Sequence, residues 1–221
     1  MDEPTDRAPA TVLGGLTLFQ IQVAQLFFSL PASNGFLLAG GAALVAQHLT
    51  TRATQDLDFF TGPGRGDVPT ARDAFEVAAL ARGWEVHRVR DTATFCRLVV
   101  RGVEDLLVDL ALDTPPNLPA IASMAGPTFG LEELAGRKVL ALFDRAEARD
   151  FADVYILAQR YTKLLLLARA AEVDGGFTLA IFADMLDTLS RFADAEIPVS
   201  LAEVNLLREF FTQWATELRS D

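Results

Sequence analysis

The chain has 221 residues, 51% of them apolar, and a formal net charge of −11 at neutral pH. The apolar content excludes a mainly disordered protein, and the length suits one large domain or two small ones. The acidity argues against a broadly basic nucleic-acid-binding surface, since neutralising phosphates takes clustered Lys and Arg; any contact with RNA has to be local, and Arg65, Arg145 and Arg149, then Arg88, Arg90 and Arg97, are the candidates for such a basic strip.

Residues 1–10 are polar and read as a loose start with no basic leader, and no apolar run approaches the ~18 residues of a membrane-spanning helix. The expectation is a cytoplasmic protein with no membrane partner. From Val12 to Leu30 the apolar positions Leu16, Phe19, Val23, Leu26, Phe27 and Leu30 fall at helical spacing between Gln20, Gln22 and Gln25, which predicts an amphipathic helix. Asn34-Gly35 marks a turn.

Phe36 to Ala39 suits a short buried strand, and Gly40-Gly41 then lets the backbone turn before a helix over Ala42 to His48. Strand, glycine pair and helix N-terminus can cradle a phosphate, because backbone N–H groups are accessible there and the helix dipole favours an anion. Asp56-Leu57-Asp58 follows, 15 residues after Gly41. In a strand the two carboxylates share one face, roughly 6.6 Å apart along the chain, while Leu57 and Phe59 point to the other. Two carboxylates aimed together suit a hard cation that keeps room for waters and phosphate oxygens, which is the chemistry of Mg²⁺.

Thr61 to Asp67 is a glycine-rich loop from which Arg65 could reach a triphosphate beside the carboxylates. A helix is predicted over Thr70 to Arg82, stopped by Gly83, and strands over Glu85 to Arg90 and Thr94 to Val100. In the next strand, Glu104 to Leu112, one face carries Leu106, Val108, Leu110 and Leu112 while Asp109 lies on the other between Leu107 and Ala111. A carboxylate inside an apolar run needs a cation or a hydrogen-bonding partner. Asp105 and Asp113 share its facing but sit at the strand ends, where solvent accounts for them.

The proline-rich segment Asp113 to Pro119 is the expected domain boundary, dividing a core of residues 1–118 from a helical region of residues 119–221. Helices are predicted over Leu131 to Phe143, Arg149 to Leu167 or beyond, and Leu179 to Phe192, with Ser200 and Glu203 as a capping box opening a last one. Lys138 and Lys163 are the only lysines. Lys138, Arg145 and Arg149 share a face of a continuous helix, or meet across a bend near Glu147; either arrangement aims three cations at one anion, and Arg149 and Asp153 are spaced as an i,i+4 pair. His48 and His87 have no ligand partners at metal spacing, and Cys96 is a lone strand cysteine.

The pattern Gly40-Gly41-Ala-Ala-Leu44 followed by Arg52, Thr54, Asp56 and Asp58 resembles the first motif of the AbiEii/AbiGii toxin family of nucleotidyltransferases, which includes the MenT toxins. Lys138, Arg145 and Arg149-Asp150-Phe-Ala-Asp153 stand in the order of its second signature. The resemblance implies a DNA polymerase β-like α/β fold, a mixed sheet followed by a helical C-terminal part. It also implies a Mg²⁺-dependent transfer of NMP from an NTP to an acceptor, in characterised members the tRNA 3′ end, and restraint by a cognate antitoxin. Asp56, Asp58 and Asp109 would hold the metal and, with Lys138, carry the chemistry; Gly40, Gly41, Arg52, Thr54, Lys138, Arg145, Arg149 and Asp150 would bind the nucleotide. A small-molecule nucleotidyltransferase of antibiotic-resistance type and a non-catalytic nucleotide-binding protein of the same fold stay open as alternatives.

Overall fold

The computed structural model describes residues 11–12 and 14–220, so the segment read as a loose start lies outside the described residues. A short antiparallel pair, β1 (Thr11–Val12) and β2 (Leu16–Thr17), precedes helix α1 (Leu18–Phe28). The helix therefore starts later than its periodicity suggested. Thr17 sets the start: its side chain accepts from the Gln20 N–H at 3.1 Å while its own N–H donates to Gln20 Oε1 at 2.8 Å, a reciprocal cap that satisfies two otherwise orphaned donors. Gln20, placed among the polar positions by the sequence pattern, is buried, and its Nε2 donates to the Thr54 carbonyl at 2.8 Å.

The chain continues through β3 (Phe36–Ala39), helix α2 (Gly40–Ala46), β4 (Asp56–Thr61), helix α3 (Val68–Ala81), β5 (Glu85–Asp91), β6 (Phe95–Arg101), β7 (Asp105–Leu112), β8 (Ile121–Ser123) and β9 (Gly126–Thr128). Among the described residues β3 to β9 form one mixed sheet of seven strands in the order β5-β6-β7-β4-β3-β9-β8. β4 runs antiparallel to β3 and parallel to β7, and β6 and β5 extend the sheet antiparallel beyond β7. The β8–β9 strands fall where a purely helical continuation was expected. They are three residues each, too short to show an alternating pattern.

One face of the sheet is apolar. Phe59 of β4 stacks on Phe27 of α1 at 4.2 Å between ring centres, and Phe27 meets Phe36 and Phe75 edge to face. Leu98, Val100, Leu106, Val108 and Leu110 complete this core. The strand period of two then dictates that Asp56, Asp58, Asp109 and Arg97 project from the opposite face.

The structure divides into two compact units, the first running to Pro115 and taking in Ala122–Thr128, the second comprising Pro116–Ile121 and Phe129 onwards. The second unit contains α4 (Leu131–Asp144), α5 (Ala148–Ala158), α6 (Lys163–Val173), α7 (Leu179–Asp187) and α8 (Leu201–Ser220). The helix expected to run from Arg149 past Leu167 is two helices, because Thr162 caps a new start by accepting from the Leu165 N–H at 3.2 Å. The segment after α7 tightens into a 3-10 turn over Thr188–Arg191. Phe151, Phe182, Phe211 and Trp214 fill the middle of this unit.

Cys96, on the apolar side of β6, is fully buried, and loss of solvent pushes its thiol pKa up to about 11. Only the thiolate attacks a disulfide reagent, and at pH 8 roughly a thousandth of such a thiol is ionised. The expected result with a chromogenic disulfide is no reaction from the native protein over minutes and one thiol released in denaturant.

Candidate active site

The first motif closes around the end of β3. Gly40 takes φ +61°, a left-handed conformation that disfavours any side chain, and a Cβ on it would stand 1.8 Å from Asp58 Oδ2. The Asp58 carboxylate thus rests on the bare Cα of Gly40, and β3 delivers that Cα because Ala39 pairs with Asp58. At Gly41 a Cβ would meet Thr54 Oγ1 at 2.8 Å and Arg52 Nη2 at 3.3 Å. Helix α2 begins on Gly40 itself, two residues before the expected start, and ends at Ala46; His48 has φ 56° beyond its end.

The Thr54 hydroxyl donates to Asp56 Oδ1 at 2.8 Å, and Arg52 Nη1 donates to the Ala53 carbonyl at 3.0 Å. Gly40, Gly41, Arg52, Thr54, Asp56 and Asp58 are therefore gathered in the first unit. Asp109 joins them through the parallel β4–β7 register, which pairs Asp58 with Asp109; strands lie roughly 4.8 Å apart. Arg65 does not join. The loop that carries it follows Thr61, which pairs with Phe36 at the other end of β4, and its backbone packs against Gly35. Asp105 sits at the exposed strand end with Arg101 Nε at 3.3 Å.

Arg97, which the sequence reading placed only among the candidates for a local basic strip, lies at the carboxylates. The antiparallel β6–β7 register sets it opposite Asp109. Its Nε donates to Asp109 Oδ1 at 2.8 Å and its Nη2 to Oδ2 at 2.6 Å, a two-pronged charged pair of the strong kind. Those hydrogen bonds, working against burial, together with the charges of Asp109, Asp58 and Asp56 hold the Arg97 guanidinium above its ordinary pKa. An Arg directly after the strand cysteine carries no motif; only strand register brings it to Asp109.

Hard carboxylate oxygens on one face are the donor set that Mg²⁺ takes, so Asp56 and Asp58 fit the ion. Among the described residues no three His, Cys, Asp or Glu side chains are drawn into a ready metal cluster, and both oxygens of Asp109 are engaged by Arg97.

The second motif lies in the second unit. Helix α4 ends at Asp144, Ala146 takes φ 47°, and α5 starts at Ala148, so the chain bends where Lys138, Arg145 and Arg149 would otherwise continue one face. Lys138, 6% exposed, places its Nζ 2.8 Å from Asp153 Oδ2 and 3.8 Å from Asp150 Oδ1. Arg145 Nε and Nη2 donate to the two oxygens of Asp150 at 2.8 and 2.9 Å, and the Glu147 N–H adds a third bond to the same carboxylate. Asp150 is fully buried and acts from there as the hub that positions Arg145. Arg149 Nε pairs with Glu147 at 2.7 Å. Asp153 is thus a close partner of Lys138, 15 residues away across the bend.

A family model described as nucleotidyl transferase AbiEii toxin, type IV toxin–antitoxin system, matches residues 25–217. Among solved structures, the crystal structure of JHP933 from Helicobacter pylori is similar at a TM-score of 0.60 and 20% identity, covering 92% of this chain and 93% of that one. The nucleotidyltransferase toxin MenT4 from Mycobacterium tuberculosis H37Rv is similar at a TM-score of 0.57 and 19% identity, covering 90% and 83%. At these identities the likeness is one of fold. No curated protein sequence matches the chain.

Two outcomes follow from this geometry. Gly40→Ala forces a Cβ into the Asp58 carboxylate at a positive φ, and denaturant melts should show a loss of about 1–3 kcal/mol, part of which is recovered in Gly40→Ala/Asp58→Ala. Arg97→Gln leaves Asp109 beside Asp58 without its counter-ion. Its thermal midpoint in EDTA should fall below that of the wild type, and added Mg²⁺ should raise it by more.

Proposed function

Because the chain belongs to the AbiEii nucleotidyl transferase toxin family of type IV toxin–antitoxin systems, we propose that this nucleotidyltransferase moves NMP from an NTP to an RNA hydroxyl at a tRNA 3′ end, and that a cognate antitoxin restrains it. The observation that carries the reading is the pairing of Asp58 with Asp109 across β4 and β7, with Gly40 cleared beneath the Asp58 carboxylate. In the reaction the acceptor oxygen bonds to the α-phosphorus, the bond from that phosphorus to the α,β-bridging oxygen breaks, and pyrophosphate leaves.

Asp56 and Asp58 would hold a divalent cation, with Asp109 as the third carboxylate beside them. A bound Mg²⁺ supplies charge neutralisation at the phosphates and a lower pKa for the attacking hydroxyl. Thr54 fixes the orientation of Asp56 through its hydroxyl. Asp109 receives the proton of the acceptor hydroxyl on a lone pair that its hydrogen bonds to Arg97 leave free. In the first unit Gly40, Gly41 and Arg52 serve the nucleotide; in the second, Lys138, Arg145 and Arg149 are the cations of the family's second motif, and Asp150 and Asp153 keep Arg145 and Lys138 in place.

The deciding assay is transfer of label from α-labelled NTPs to total tRNA, set beside a panel of small hydroxyl compounds. Label on tRNA is expected, and label on small compounds alone would move the protein to the antibiotic-resistance type of chemistry. Asp58→Ala should abolish transfer without lowering the thermal midpoint, because it relieves like charges and empties no core. Lys138→Ala should raise the KM for NTP and lower kcat, and should also melt earlier, since the buried Asp153 loses its cation. Asp153→Asn in that background should recover part of the melting loss and none of the activity; recovery of activity would assign Lys138 a purely structural role.

A further inference from the structure

One line of residues crosses the polar face of the sheet. Register pairs Arg90 with Arg97, Arg97 with Asp109, and Asp109 with Asp58. The line is basic at the β5 edge and acidic at its inner end, over three strand spacings or roughly 14 Å, the length of a few nucleotides.

Arg90 reaches this face through an irregularity. Between Arg88 and Arg90 the β5–β6 register shifts by one residue, leaving Val89 as the extra residue of a bulge. Before the bulge Arg88 pairs with Leu98 and faces α3, where Glu76, Asp73 and Asp91 hold it. Without the extra residue Val89 would stand opposite Arg97. With it, Arg90 does, and bulges that re-aim a side chain occur preferentially next to active sites.

Arg90 is exposed, has no carboxylate partner among the described residues, and lies with its guanidinium carbon 5.2 Å from the centre of the Phe95 ring. Arg97 lies 5.8 Å from the same ring centre. In a chain of net charge −11, most arginines of this unit that flank the line are spent on ion pairs: Arg72 and Arg88 on the α3 side, Arg101 with Asp105. Arg90 and Phe95 together are a cation and an aromatic face presented beside the carboxylates, the pairing that holds single-stranded nucleic acid by phosphate contact and base stacking.

We propose that Arg90 and Phe95 form a clamp for the single-stranded RNA acceptor, gripping a phosphate and a base upstream of the terminal nucleotide so that its hydroxyl reaches Asp58 and Asp109. The clamp rests on the reading of the protein as an RNA nucleotidyltransferase and gives that reading the local basic contact an acidic chain requires. Both are positioning residues, and neither touches the reacting atoms.

The test uses the full chain and a short fluorescent single-stranded RNA, with binding followed by anisotropy and transfer followed by label. The variants are Arg90→Gln, Phe95→Leu and, as a control of equal charge change, Arg82→Gln at the exposed C-terminal end of α3. Arg90→Gln and Phe95→Leu should each raise the Kd and the KM for RNA about fivefold or more, with the KM for NTP unchanged. Arg90→Gln should also reduce the slope of log affinity against log salt by about 0.7, the share of one single-strand phosphate; Arg82→Gln should alter none of these. A wild-type KM for RNA in Arg90→Gln, or an equal loss in Arg82→Gln, would overturn the clamp while transfer to RNA stands. A wild type that labels small hydroxyl compounds and neither binds nor labels RNA would overturn the acceptor reading, and the clamp with it.

Discussion

The parallel pairing of β4 with β7 sets Asp58 directly beside Asp109, and much of the first unit can be understood as the means of tolerating that contact. Two like charges about 5 Å apart repel by roughly 1 kcal/mol in water and more where the surroundings are less polar. Arg97 offsets the repulsion with a two-pronged hold on Asp109, and the Thr54 hydroxyl satisfies one oxygen of Asp56. Beneath, the stacked Phe59 and Phe27 fix the strand so that its carboxylates have no other face to turn to. A site that concentrates negative charge on a rigid sheet is stable only with a counter-charge, and Arg97 is one.

The second unit meets the same problem inside a helical core. Glu133, Asp150, Asp153 and Lys138 are all buried, a costly placement unless each is paired. Each is. Glu133 accepts from the Asn117 and Leu118 N–H groups and from Arg137, which also lies 3.9 Å over the Phe129 ring. Asp150 and Asp153 engage Arg145 and Lys138 on either side of the bend between α4 and α5. The bend therefore comes with its own electrostatic brace.

The same ion pairing bears on how an acidic chain would meet the proposed RNA acceptor. Arg72, Arg88, Arg101, Arg169, Arg208 and Arg219 are all tied to Asp or Glu on their own unit and offer little attraction to phosphate. Long-range steering of RNA is weak for such a surface. What is left is contact at a few places, which favours an acceptor gripped near its end over one bound along its length.

Much was already settled by local order in the chain. Alternation along β7 put Asp109 on the face away from Leu106, Val108 and Leu110, and the i,i+2 spacing of Asp56 and Asp58 put both on one side of β4, because side-chain direction in a strand is a property of the backbone. The glycine pair announced a close approach, and Thr17, Thr162 and Ser200 carried the chemistry of helix starts even where the boundaries drifted. Sequence could not supply register. That Asp109 stands beside Asp58 and opposite Arg97, that a single bulged residue turns Arg90 and not Val89 toward them, and that Lys138 closes on Asp153 across a bend all depend on pairings between segments distant along the chain. Such pairings are chosen by the packing of the whole unit, in which a shift of one residue reverses every side chain, and no local pattern records that choice.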